Sequence, residues 1–141
     1  MRVGITGSRY GPITEEQSDN LRRIIKSFMG KENILYHGAC IGVDEEATMM
    51  AHDLGYTCVA CPPVDKRFIS EAALTLSIEV RPEKDYLERN RDIVQECEVL
   101  IVVPASFKWQ PHSGTWYTSV YAKTVGRRRV MVYPDGTTKE K

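Results

Sequence analysis

Val99-Leu100-Ile101-Val102-Val103-Pro104 is the stretch whose reading decides the fold. An unbroken apolar run of this length predicts a strand buried on both faces, and so a central strand of a covered sheet. The chain then crosses Ala105 to His112 and reaches Ser113-Gly114-Thr115, a small-residue turn that opens the next helical pattern. Two other apolar runs end in the same way. Gly4-Ile5-Thr6-Gly7-Ser8-Arg9 closes the first, and Gly38-Ala39-Cys40-Ile41-Gly42-Val43-Asp44 closes the second. Glycine lets backbone N–H groups approach an anion, and a helix N-terminus adds a favourable dipole. Three such turns predict a phosphate-bearing ligand at one sheet edge.

Strand and helix patterns alternate along the rest of the chain. Strands are predicted at Arg2 to Thr6, Asn33 to His37, Thr57 to Cys61, Ile78 to Val80, Val99 to Val103 and Arg129 to Tyr133. Thr14-Glu15-Glu16-Gln17 is a capping-box pattern that opens a helix with Leu21, Ile24, Ile25 and Phe28 on one face. Further helices are predicted at Val43 to Leu54, Phe68 to Leu76, Asp85 to Cys97 and Thr115 to Val125, with Leu87, Ile93, Val94 and Cys97 inward on the fourth. The alternation predicts an α/β, Rossmann-like three-layer sandwich: a mainly parallel sheet with helices on both faces. Its ligands belong beyond the carboxyl ends of the strands. Residues 1–141 read as one domain, with residues 136–141 as a frayed tail.

Composition narrows the function classes. Lys+Arg and Asp+Glu both number 19, so formal net charge is zero, which argues against a general nucleic-acid binder. No apolar run approaches the roughly 20 residues that cross a membrane, and no signal peptide is evident, so a cytoplasmic location is expected. Cys58-Val59-Ala60-Cys61 reads as a strand that points its two thiols to opposite faces, which is poor metal geometry. Cys40 and Cys97 add no second Cys-x-x-Cys. Buried reduced thiols are expected, with no metal and no resident cofactor beyond a nucleotide-like ligand.

The candidate ligand contacts are Gly7, Ser8, Arg9, Gly38, Ala39, Gly42, Asp44, Arg89, Asn90, Pro104, Ser113, Gly114 and Thr115. Arg9 would neutralise phosphate charge. Asp44 reads either as an acid that suits its helix dipole or as an acceptor for a ribose or base group. Arg89-Asn90-Arg91 lies on one helix, so at most one or two of its side chains can face a ligand. Phe107, Trp109 and His112 make the long 105–112 connection a candidate aromatic lid. His37 is a weaker site candidate, His52 reads as structural, and Arg127-Arg128-Arg129 reads as a solvated patch at the opposite edge.

Taken in order, these residues resemble the SLOG superfamily. That superfamily groups the Rossmann domain of DNA-processing protein A (DprA/Smf), the LOG or "lysine decarboxylase-like" proteins and YspA-like proteins. Gly4-x-Thr6-Gly7-Ser8-Arg9 is similar to its opening motif, and Gly38-Ala39-x-x-Gly42-x-Asp44-x-x-Ala47 to its second, closest to the YspA-like branch. Arg89-Asn90-Arg91 resembles the Arg-Asn-Arg of DNA-processing protein A, and Ser113-Gly114-Thr115, with Ala122 and Gly126, the last motif. The resemblance implies a nucleotide or nucleotide-derived ligand. It also brings in the LOG phosphoribohydrolases, whose Pro-Gly-Gly-x-Gly-Thr-x-x-Glu motif carries a catalytic glutamate. Thr118 stands at that glutamate position, and His112-Ser113 replaces the double glycine. A threonine cannot do a carboxylate's work at an oxocarbenium-like centre. Hydrolysis would therefore need a substitute among Asp44, Glu88 and Asp92, with Arg89 beside them. The readings in play are a nucleotide-ligand binder or sensor, an N-glycosidic hydrolase, a DprA-like binder of single-stranded DNA and a carrier of a phosphorylated cofactor such as molybdopterin. A homodimer through Tyr117, Val120 and Tyr121 is compatible with each.

Overall fold

The computed structural model describes residues 1–141. The strands are β1 (Arg2–Gly7), β2 (Ile34–His37), β3 (Thr57–Ala60), β4 (Glu79–Val80), β5 (Val99–Val103), β6 (Arg128–Val132) and β7 (Thr138–Glu140). Between them run α1 (Glu15–Ser27), α2 (Val43–Asp53), α3 (Glu71–Thr75), α4 (Tyr86–Glu96) and α5 (Gly114–Thr124). The strands form one sheet in the order β4-β3-β2-β1-β5-β6-β7. All pairs are parallel except β6–β7.

The run that opened the sequence reading explains the layers. Every residue of β5 is buried. Val99, Ile101 and Val103 face one side with Leu21 and Ile25 of α1 and Val43, Ala47, Met50 and Ala51 of α2. Leu100 and Val102 face the other side with Ile93 and Val94 of α4 and Trp116 and Ala122 of α5. A strand's period of two supplies both cores at once. Cys58 and Cys61 likewise fall into opposite cores, and all four cysteines are buried free thiols.

The chain leaves β1 towards β2 on one side and pairs β1 with β5 on the other. The β1/β5 crevice, where Gly7 is in register with Val103, is therefore the switch point at which such sheets take ligands. Gln17 closes the neighbouring crevice from inside. It is fully buried, accepts from Ile13 N at 2.7 Å, and donates to Pro104 O and Val132 O, both at 2.9 Å. Thr14 accepts from Gln17 N at 3.1 Å, which completes one half of the predicted capping box. In the other half, Gln17 Oε1 accepts from the amide of Ile13, one residue before the cap, instead of from the cap's own amide.

Three local expectations are corrected. The tail read as frayed forms β7: Val130, Met131 and Val132 pair with Glu140, Lys139 and Thr138, because the turn at Asp135-Gly136 reverses the chain. The helix expected from Phe68 starts at Glu71, where Ser70 caps the amide of Ala73 at 3.1 Å. On α4 the inward face holds Arg89 and Asn90 beside Ile93 and Val94, while Leu87 is exposed. The guanidinium reaches carbonyl partners that no apolar side chain could satisfy. No helix is long and apolar enough to cross a membrane.

Candidate functional site

Parallel strands deliver the ends of β1, β2, β3 and β5 to one edge, where a cleft of about 510 Å³ opens. That volume lies in the range of small-molecule sites. Gly7, Ser8 and Arg9 line one wall, and Ser113, Gly114 and Thr115 another. Cys40 of the second turn lines it as well, so all three predicted turns reach the cleft.

The β1 turn is built for tight packing. A Cβ on Gly7 would collide with the side chain of Val43, so glycine lets the start of α2 sit against the strand end. Ser8 holds the loop: its carbonyl accepts from Val43 N at 3.0 Å and its Oγ from Tyr10 N at 3.0 Å. Arg9 points outward. Its guanidinium lies 3.8 Å from the centre of the Phe68 ring and takes part in no ion pair. It is a charged donor fork with its edge left for a ligand.

The third turn faces it. Ser113 caps α5 by accepting from Trp116 N at 3.3 Å. The first amides of the helix have no intrahelical acceptor. Gly114 leaves room for Tyr86, whose ring lies against the helix start and also stacks on Arg89 at 4.6 Å.

The second turn behaves differently from its expectation. Its groups are consumed by the protein. Ile41 N donates to Phe68 O at 2.9 Å, Ser70 N to Ala39 O at 2.8 Å, and Cys40 N to the Asp44 carboxylate at 3.3 Å. Gly42 adopts a φ of 86°, and its Cα lies so close to the Arg9 carbonyl that a side chain would collide. Ala39 is fully buried with a φ of 58°, a left-handed conformation uncommon outside glycine. The His37 ring supports it: Nδ1 accepts from Ala39 N at 3.0 Å, which leaves Nε2–H to donate to Ser77 Oγ at 2.7 Å. Burial, helped by the charge of Arg89, pushes the His37 pKa down to about 3. His37 is thus a neutral structural brace.

Beneath the cleft floor sits a buried polar group. Arg89 is 3% exposed and donates from Nη1 to Gly38 O and to Cys61 O, the latter at 3.1 Å, and from Nε to Asn90 Oδ1 at 2.8 Å. Gly38 lies between Arg89 and Asp44, with no space for a Cβ. Burial pushes the Asp44 pKa up to about 6, against the pull of Arg89. Ala39 and Gly42 support the floor, and Gly38, Asp44, Arg89 and Asn90 line a small recess that shares Gly7, Arg9, Cys40 and Tyr86 with the cleft. Pro104 is outside the cleft, with its carbonyl bound to Gln17.

The hydrolase candidates are dispersed. Glu88 is exposed and does not line the cleft. Thr118, which the resemblance sets at the phosphoribohydrolase glutamate, is 1% exposed and donates to Gly114 O at 2.7 Å. Asp92 pairs with Lys84 at 2.6 Å. Arg91 turns away to Tyr117 OH at 3.0 Å. The one carboxylate lining the cleft is Asp65, which is held by Arg67.

The lid residues also separate. His112 lines the cleft, but Phe107 stacks on Tyr133 at 6.0 Å and Trp109 projects outward. Trp116 ties the segment down through Nε1 to Ser106 Oγ at 2.9 Å. The aromatic lining comes instead from Tyr10, Phe68, Tyr86 and Trp116. Phe68 lies inside the helix expected from Phe68 to Leu76, and Arg67, just before it, belongs to no motif. Ser70-Glu71 is the cap signal that places Phe68 in the loop before the helix.

No family model matches the chain, and no curated protein matches it in sequence. Solved structures do. The molybdenum cofactor binding protein of Rippkaea orientalis superposes with a TM-score of 0.70 at 18% identity, over 94% of this chain and 76% of that one. The Moco carrier protein of Chlamydomonas reinhardtii gives 0.68 at 21% identity, over 92% and 74%. DNA processing protein A of Helicobacter pylori, described for its single-stranded DNA binding mode, gives 0.67 at 18% identity, over 93% and 64%. The reading against nucleic acid as a partner draws no support from such a neighbour. At these identities the likeness is one of fold: the chain has a Rossmann-like α/β architecture.

Proposed function

We propose that this protein binds a phosphorylated small molecule with a flat ring system, of nucleotide or nucleotide-derived type, in the cleft beyond β1 and β5. The observation that carries the reading is Arg9: a guanidinium with no protein counterion, seated on Phe68 in the same cleft as the α5 N-terminus. A phosphate between them meets a cation and open amides. The aromatic residues Tyr10, Tyr86 and Trp116 supply faces for a base or a pterin-like ring. Phosphorylated cofactors of the molybdopterin kind fall within this class.

Binding is favoured over hydrolysis because the cleft has no unengaged carboxylate. Asp65 is forked by Arg67, and Asp44 lies below the floor. The four buried free thiols suit a reducing compartment, and the cytoplasm is the proposed location. Pairing of two copies through the exposed Tyr117 and Val120 of α5 belongs to the same proposal, and light scattering of Val120→Glu tests it.

The main test is a thermal-shift screen against nucleoside mono-, di- and triphosphates, cyclic nucleotides and a molybdopterin analogue. Arg9→Gln runs in parallel, and free base is followed by chromatography. A ligand at about 100 times its Kd adds roughly 2.7 kcal/mol of stability. A shift lost in Arg9→Gln, without base release, supports the reading. Base release makes the protein a hydrolase. No shift with any compound, together with salt-sensitive binding of an oligonucleotide, moves the function to single-stranded nucleic acid.

A further inference from the structure

Two guanidinium groups converge on one ring. Arg9, from the β1 turn, lies 3.8 Å from the Phe68 centroid, and Arg67, from the segment before α3, lies 5.5 Å from it. Both line the cleft. Arg9 has no carboxylate partner, whereas Arg67 is forked onto Asp65, with Nε 3.0 Å and Nη2 2.7 Å from Oδ2. The Arg67 amide also donates to Asp65 Oδ1 at 3.1 Å, so backbone and side chain of one residue hold the same carboxylate. The hydrogen bonds from Arg67 draw the Asp65 carboxyl down to about 2, so it is ionised at neutral pH.

This pair is exposed, with side-chain accessibilities of 76% for Arg67 and 47% for Asp65. Exposed ion pairs are weak, and a released carboxylate here stays hydrated. The segment itself is anchored at both ends. Ile41 and Ser70 bind it to the second turn, and Val64 N donates to Lys84 O at 2.9 Å. Only the Arg67 side chain has to move for its fork to change partner.

We propose that Arg67 is a second, switchable anion contact. When a ligand ends in a pyrophosphate or a doubly charged phosphate, the Arg67 fork leaves Asp65 and joins Arg9 on the ligand. A singly charged phosphodiester engages Arg9 alone. The cleft therefore selects multiply charged phosphate ends, with Asp65 as the internal competitor that sets the threshold. The inference rests on the reading of the cleft as the ligand site. Its own content is the role of Asp65 and Arg67.

Calorimetric titration at fixed salt tests it, with inorganic pyrophosphate and singly charged dimethyl phosphate as probes. The proteins are the wild type, Arg9→Gln, Arg67→Gln and Asp65→Asn. Pyrophosphate is expected to bind the wild type, to weaken about tenfold in Arg67→Gln and to tighten several-fold in Asp65→Asn. Dimethyl phosphate is expected to be indifferent to Arg67→Gln. Opposite signs at two residues in one turn would not come from simple loosening of the segment. Arg67→Gln and Asp65→Asn both within twofold of wild type, or both weakened, while Arg9→Gln loses pyrophosphate, would remove Arg67 and leave the cleft reading intact. No pyrophosphate binding by the wild type, or binding that ignores Arg9→Gln, would overturn both.

Discussion

The ring of Tyr86 occupies the space that a side chain at residue 114 would need: a Cβ on Gly114 would lie 2.9 Å from Tyr86 Cε1. Tyr86 is partly exposed, so it can yield, but only by leaving its stack on Arg89 and reshaping the cleft wall. Gly114→Ala is therefore expected to cost ligand binding several-fold and stability only about 1 kcal/mol. Melting curves with and without ligand separate the two effects. A large loss of stability with unchanged ligand response would contradict the assignment.

Gly7 and Val43 make the converse case, because their contact is interior. Gly7→Ala drives a methyl into the Val43 side chain at the start of α2 and is expected to destabilise by about 2–3 kcal/mol in urea unfolding. Adding Val43→Ala should recover part of that loss, since the residues are in contact and their effects are not additive.

Two buried titrating groups pull stability in opposite directions in acid. The folded pKa of His37 is depressed to about 3 from 6.5, so its contribution is complete above 6.5 and is lost as pH falls through 3. The folded pKa of Asp44 is raised to about 6 from 3.8, so its contribution is complete below 3.8 and is lost as pH rises through 6. Between about pH 4 and 6 the two slopes oppose, each at most about 1.4 kcal/mol per pH unit. Asp44→Asn should gain stability as pH rises across this window, and His37→Asn should lose it. Denaturant titrations at half-unit pH steps test the signs.

Gln17 is expected to be as sensitive as a core residue. Gln17→Leu keeps the bulk but strips partners from Ile13 N, Pro104 O and Val132 O. A loss of about 3 kcal/mol is expected from the unpaired groups. A near-neutral result in chemical denaturation would mean that water replaces the amide.

Thr118→Glu tests the family comparison directly. The site is 1% exposed on the inward face of α5, so the new carboxylate is buried rather than presented to ligand. The expected outcome is a lowered melting temperature and no release of free base from nucleoside monophosphates.

The layered sheet was legible because periodicity carries it. The β5 run, the cap at Thr14 and the positive-φ glycines at Gly55 and Gly126 all act locally. The first and third turns were legible for the same reason: a parallel sheet necessarily brings the ends of β1 and β5 together. Long-range pairing was not legible. Nothing local says that Arg89 reaches the carbonyls of Gly38 and Cys61, from residues 51 and 28 positions away. The same contact turned the second turn from a candidate ligand loop into a floor. Phe68 was hidden by a misplaced helix start, and the tail by a hairpin that joins β7 to a strand already complete by pattern.

That hairpin bears on how the molecule survives at high concentration. A parallel sheet ending at β6 would offer the backbone of Val130 to Val132 to any passing strand. Instead β7 covers it with Thr138, Lys139 and Glu140, all exposed, and the glutamate is paired to Arg128. At the far edge β4 is only two residues long. Short, charged borders discourage edge-to-edge aggregation. Shaving residues 136–141 from this protein should therefore show first as turbidity and fibril-dye binding on concentration, before any change at the cleft.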